Sequence, residues 1–279
     1  MEQCVETGAF QRLTMERALE EIARAGYRYV ELNPDLFKPH EASEKEVAGL
    51  RRLLEERRLE PAAVLLLYPL ASPDERLRAQ AVENWRRGIH LSRLLGARSL
   101  TAEMTGDPRR PEDCCQAFLR SIEVLLPLLE EADLRVAFEP HPGDFIERSD
   151  QAVDLIREIR SPHLGYLYCM AHTFWLGDDP AQMIRYAGET LGHVHVADTH
   201  RPERIIQAGE NARPHNHFIP GWGEVDFERT FRALLDIGYR GYLSAALFSH
   251  LDDPGNAARQ TREQVSALLA QLSEEREGR

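Results

Sequence analysis

The chain has 279 residues, 43% of them hydrophobic and 29% charged, with a formal net charge of −12 at pH 7. That charge repels phosphate backbones and argues against a nucleic-acid partner. No apolar run approaches the roughly 18 residues that a membrane span needs, and the length suits a single domain over 1–279 with one large core.

Taken from the start, a strand is predicted at Cys4–Thr7 and a helix at Thr14–Ala25, then a strand at Tyr29–Asn33 and a helix at Ser43–Arg58. The alternation continues with strand Ala62–Leu67, helix Pro73–Leu95, strand Ser99–Glu103, helix Pro111–Ala132, strand Arg135–Glu139 and helix Asp150–Ile159. Strand Gly165–Cys169, helix Pro180–Ala187, strand His193–Ala197, helix Asp226–Ile237, strand Gly241–Ala246 and helix Pro254–Leu272 complete it. Several strands are too apolar to leave one face in water, as in a parallel sheet covered by helices. Ser43 with Glu46 reads as a capping box, Pro111 suits a first helical turn, and Gly26 and Gly238 follow helices as stop residues. Eight strand–helix units without a low-complexity linker predict an α/β fold of the (β/α)8, or TIM, barrel type. The one long irregular stretch, 198–224, is expected to elaborate the barrel mouth.

Residues Met1 to Glu6 lack the basic start and apolar stretch of a signal peptide, so a cytoplasmic location is expected. Cys4, Cys114, Cys115 and Cys169 form no disulfide framework, and the adjacent pair lacks C-x-x-C spacing.

In such barrels the chemistry sits at the C-terminal strand ends. Those ends carry Glu31-Leu32-Asn33, Thr101-Ala102-Glu103, Phe138-Glu139-Pro140-His141-Pro142-Gly143-Asp144, Cys169-Met170-Ala171-His172 and His193-Val194-His195-Val196-Ala197-Asp198. Glu139 and His195 alternate with apolar neighbours, so both are expected to point into the barrel, where an ionisable group needs a partner or a metal.

The order Val136-Ala137-Phe138-Glu139, then Ala171-His172, then His193-Val194-His195-Val196-Ala197-Asp198 resembles the xylose isomerase-like superfamily of sugar isomerases and epimerases. Phe138 to Asp144 and Pro220-Gly221-Trp222-Gly223-Glu224-Val225-Asp226-Phe227 resemble its branch containing the IolH-like and C-glycoside-processing proteins. The resemblance spans most of the chain and implies a divalent metal, commonly manganese, held by Glu, Asp, His and Glu from strands five to eight. Glu139 and His195 match two of those positions. Cys169 stands where the aspartate is expected, three residues before His172, and Ala246 lies where the last glutamate is expected. A metal set of Glu139, Cys169 and His195 is softer than the family's and would favour zinc or iron over manganese; Cys169 as an ordinary buried thiol is the alternative. Glu103, His172, His215, His217 and His250 are candidates for a fourth ligand.

The resemblance further implies proton transfer next to a carbonyl, a small sugar or polyol as substrate, and a homo-oligomeric assembly. With the strand-eight carboxylate gone, a symmetrical two-carboxylate epimerisation is less expected than a one-base isomerisation, dehydration or elimination, with Glu139 or Glu103 as base. His141, His172, Arg201, His215, His217 and Trp222 are the candidates for substrate binding, with Arg201 equally able to pair with Asp198. A non-catalytic or partner-dependent polyol-binding barrel with a degenerate metal site is the competing reading.

Overall fold

The computed structural model describes residues 1–207 and 216–277. Eight parallel strands close on themselves in chain order: β1 (Glu2–Glu6), β2 (Tyr29–Leu32), β3 (Glu60–Leu65), β4 (Ser99–Glu103), β5 (Val136–Glu139), β6 (Leu164–Cys169), β7 (Leu191–Val196) and β8 (Tyr242–Ala245). The helices are α1 (Met15–Arg24), α2 (Glu44–Glu56), α3 (Glu75–Leu95), α4 (Pro111–Ala132), α5 (Ser149–Ile159), α6 (Met170–Trp175), α7 (Pro180–Ala187), α8 (Pro202–Gln207), α9 (Phe227–Asp236) and α10 (Pro254–Glu277). This is the expected (β/α)8 barrel. None of the described helices is long and apolar enough to cross a membrane.

The local signals act as the sequence suggests. Ser43 and Glu46 form a reciprocal capping box at the start of α2, Pro111 opens α4, and Gly26 and Gly238 adopt φ of 86° and 71° after their helices, a region open to glycine without a Cβ penalty. Strands β6 and β7 begin one and two residues earlier than predicted, at Leu164 and Leu191.

The main core fills the layer between barrel and helices. Phe138 points outward from β5, with its ring 5.1 Å from Phe118 and 6.0 Å from Trp85. Val194 and Val196 on β7 and Tyr166 and Tyr168 on β6 join the same layer. Since side chains alternate along a strand, Ala137, Glu139, Leu167, Cys169, His193 and His195 face the lumen. A small cluster of Cys4, Tyr29 and Ala62 with Tyr242 packed against it closes the barrel floor, leaving the upper lumen to polar groups.

The loop expected at 198–224 is pinned where it is described. Asp198 and Phe218 exchange backbone hydrogen bonds as an antiparallel bridge. The Asp198 carboxylate accepts from the backbone N–H groups of Thr199, Gly221, Gly223 and Val225 at 2.8–3.0 Å. A Cβ on Gly223 would lie 2.3 Å from Asp198 Oδ1, so the close approach requires glycine. His215, at 208–215, lies outside the described residues.

Candidate active site

The upper lumen holds a buried network of carboxylates, imidazoles and one thiol. Its first part hangs from β2 and β7. Glu31 is fully buried and its carboxylate accepts from His193 Nε2 at 3.0 Å, from His195 Nε2 at 3.3 Å and from the Thr101 hydroxyl. Burial by itself would raise the Glu31 carboxyl, but the two imidazoles outweigh it and hold the group well below the usual carboxylate range. Beside it, Glu6 accepts a hydrogen bond from the Asn33 amide. Burial and the neighbouring Glu31 push Glu6 up to about 8.

The second part hangs from β5, β6 and the loop after β7. Cys169 ends β6 and α6 starts at the next residue. The i, i+3 spacing of a first helical turn therefore brings His172 over the Cys169 sulfur. Glu139 accepts from His172 Nδ1 at 2.6 Å and lies 3.3 Å from His195 Nδ1. His217 reaches in from the loop. Its Nδ1 donates to the backbone oxygen of Ala246 at 3.1 Å, and its Nε2 lies 3.2 Å from His172 Nε2. The Cys169 sulfur lies among these imidazoles, sharing one group of ligand atoms with His172 and His217 and another with Glu139 and His195, each within 4.8 Å.

These contacts set the charges. Burial opposes ionisation of Cys169, yet the His172 charge holds the thiol well below its ordinary value. Burial likewise opposes a charged His172, but Cys169 and Glu139 raise it to about 10. Glu139 is held well below the carboxylate range, its burial overcome chiefly by the His172 charge. His217 is lowered by burial.

A third group lies nearer the mouth. Glu103 pairs in register with Glu139 across β4 and β5 but is only partly buried. Burial raises its carboxyl. His141 Nδ1 stands 3.4 Å from Asp144 Oδ2, and this contact, against the effect of burial, raises the imidazole. The His141 ring meets the His172 ring edge-on at 4.6 Å, which joins this group to the deeper network.

Three donor sets could hold a cation among the described residues nearest the strand ends: Glu139, Cys169 and His195; Cys169, His172 and His217; and Glu103, His141 and Asp144, each with ligand atoms within 4.8 Å of one another. A fourth set, Glu31, His193 and His195, lies deeper. Thus Glu139, Glu103, Cys169, His141, His172, His195 and His217 are brought into one connected region. Arg201 and Trp222 are placed elsewhere. The Arg201 guanidinium lies 3.9 Å over the Phe174 ring and donates to the Phe174 backbone oxygen. Pairing with Asp198 is closed to it because that carboxylate is taken by backbone amides. Trp222 is 57% exposed and its ring meets His250 at 5.1 Å. His250 Nε2 accepts from the Ile219 amide at 3.2 Å and is committed to the loop.

Glu31, Glu6, Asn33, Thr101 and His193 belong to the network without having been singled out as site residues. Their signal in the sequence is a carboxylate embedded between aliphatic residues of a strand, as in Val30-Glu31-Leu32.

Comparison with known proteins agrees with this architecture. The profile of the Xylose isomerase-like TIM barrel family matches residues 19–271. The chain belongs to this family. Inosose dehydratase of Clostridium botulinum (strain Eklund 17B / Type B) is 23% identical over 250 residues, covering 82% of this chain and 80% of that protein. Fructoselysine 3-epimerase of Shigella flexneri is 21% identical over 282 residues, covering 95% and 98%. Among solved structures, the IolI protein with a bound zinc atom superimposes with a TM-score of 0.81 at 16% identity, covering 97% of this chain and 99% of that one. At that identity the superposition speaks for the fold.

Proposed function

We propose that this family member is a metal-dependent isomerase, epimerase or dehydratase of a small sugar or inosose, acting at the carbon next to a carbonyl. The observation that carries this reading is the solvent-excluded network at the strand ends, with a carboxylate, a thiol and three imidazoles converging on Cys169. The relatives support the reading: inosose dehydration and 3-epimerisation of a ketose both begin by removing a proton beside a carbonyl.

The donors fit a divalent cation. Cys169 is held toward the thiolate, and two overlapping triads, one with Glu139 and His195 and one with His172 and His217, share its sulfur. A thiolate and imidazole set suits zinc or iron better than manganese. When bound, such a cation supplies Lewis-acid polarisation of the substrate carbonyl.

The remaining steps fall to the chain's own side chains. Glu103, partly buried and with its carboxyl raised by that burial, takes the proton from carbon and can return it to the same face. His141, its imidazole raised by the neighbouring Asp144, donates to the oxygen on which negative charge develops, or to a departing hydroxyl in a dehydration. Glu139 orients His172 and His195 rather than acting as the mobile base, because both its oxygens are engaged by imidazoles. The same reading assigns a cytoplasmic location and a small-molecule partner.

The test is deuterium exchange. The purified chain, incubated in heavy water with inososes and ketohexoses, is expected to wash deuterium into the carbon beside the carbonyl. The rate should vanish after chelation and fall about 10²- to 10⁴-fold in Glu103→Gln. Polyol binding without exchange, in protein that retains its metal, would instead place the chain with non-catalytic barrels.

A further inference from the structure

His172 Nε2 and His217 Nε2 face each other at 3.2 Å. The other nitrogen of each ring is already assigned. His172 Nδ1 stands 2.6 Å from a Glu139 oxygen, and His217 Nδ1 stands 3.1 Å from the Ala246 carbonyl oxygen. Oxygens of these kinds accept, so both Nδ1 atoms carry hydrogens, and one proton between the two Nε2 atoms makes their hydrogen bond. A cation bound to both nitrogens would take the place of that proton. The rings are inclined at 59° and do not stack, and the Cys169 sulfur converges on the same point, all three atoms lying within 4.8 Å. Two nitrogens bound to one tetrahedral cation at about 2.0–2.1 Å lie roughly 3.3 Å apart, which matches the observed separation.

His195 is differently placed. Its two nitrogens are turned to two carboxylates, Nε2 to Glu31 and Nδ1 to Glu139. Ala246 explains how His217 enters. Without a long side chain at that position, the imidazole lies over the end of β8 and bonds the Ala246 backbone, while the Asp198–Phe218 bridge holds the adjoining chain in place.

We propose that the divalent cation of this protein is held by Cys169, His172 and His217, with Glu139 and the Ala246 carbonyl orienting the two imidazoles and the fourth position left for substrate oxygen. This deepens the metal-dependent reading above and rests on it for the reaction but not for the binding. Glu139 and His195, the positions that match the family pattern, then support the centre from outside it. A carboxylate or carbonyl on the far nitrogen of a ligating imidazole is the usual support for such a ligand. One thiolate and two imidazoles around an open position suit zinc.

Cobalt(II) titration of the chelator-dialysed full chain tests the assignment. The parent protein is expected to take up one equivalent, with a near-ultraviolet sulfur-to-cobalt band and the visible bands of a four-coordinate ion. Cys169→Ser should abolish the near-ultraviolet band. His172→Gln and His217→Gln should each weaken cobalt binding by about tenfold or more, whereas His195→Gln should keep the band. Loss of the band in His195→Gln, with His217→Gln unchanged, would overturn the assignment in favour of Glu139, Cys169 and His195 and leave metal dependence standing. No uptake by the parent protein would overturn both. Should a variant fail to fold, the parent protein loaded with NMR-active cadmium and labelled at histidine nitrogen gives the answer directly: coupling to the Nε2 atoms of two histidines supports the site, and coupling to one or none overturns it.

Discussion

Two halves of one lumen treat their imidazoles in opposite ways. On the β2 and β7 side, His193 and His195 each turn a nitrogen to the Glu31 carboxylate at 3.0–3.4 Å. On the β6 side, His172 and His217 turn nitrogens toward each other and toward a sulfur. The first half pairs its imidazoles with a carboxylate, although Glu6 Oε2 and His193 Nδ1 are buried there without a hydrogen-bond partner. The second half gathers a thiol and two imidazoles round one point, with ligand atoms within 4.8 Å of one another. Position in a polar barrel is therefore a poor guide to function, and the group that each nitrogen faces is a better one.

The largest expected effect comes from breaking the first half. Glu31→Ala removes the carboxylate that two buried imidazoles face, and truncating one partner of a buried ion cluster costs about 3–5 kcal/mol. Urea unfolding should register that loss through a lower midpoint, while cobalt uptake and its sulfur band persist in the folded fraction. If cobalt binding collapsed in proportion, the two halves would have to be treated as one unit.

Glu6 offers a gentler probe of the same half, because no charge is stranded when it is changed. Its carboxyl is raised to about 8 in the folded chain from an ordinary 4.5. Below pH 4.5 both folded and unfolded chains hold the proton, and its contribution to stability is fully present. As pH rises from 4.5 toward 8 the unfolded chain releases the proton while the folded chain keeps it, so that contribution declines and levels off above 8. Glu6→Gln, which imitates the protonated group, should flatten this decline in metal-free protein. Unfolding free energies at pH 5, 6.5 and 8 check it, and parallel curves for the parent and the variant would show that Glu6 is ionised in the fold.

How much of this was legible in the sequence follows from what each feature depends on. Short apolar runs, caps and glycine stops are local, so all eight strands and eight of the helices were readable within a few residues. Helix α6 was not, because Met170 to Trp175 follows β6 directly with no side-chain cap to announce it. Glu139, Cys169 and His195 stood out at strand ends. Glu31 stood at one too, but its partners lie 162 and 164 residues away across the lumen, and no local pattern encodes closure of the barrel. His217 needed still more: the space over Ala246, the bridge at Asp198 and the register of β8. A replacement that works through backbone and vacancy leaves only a histidine in a loop as its trace.

The smallest expected effect separates the rim from both halves. Trp222 was a candidate for substrate binding, and it lies on the loop whose flanking glycine amides are held by Asp198. Its ring is 57% exposed and its described aromatic contact is His250 at 5.1 Å. Little is buried when it folds, so Trp222→Ala should change stability by no more than about 0.5 kcal/mol. Cobalt binding should be unchanged, since the indole touches none of Cys169, His172 and His217. If the rim contacts the polyol, the loss appears as a few-fold rise in KM with kcat intact, the mark of an interaction made equally in the ground state and the transition state. A fall in kcat with KM unchanged would mean instead that the rim moves with the chemistry, and would join Trp222 to the network that its exposure sets it apart from.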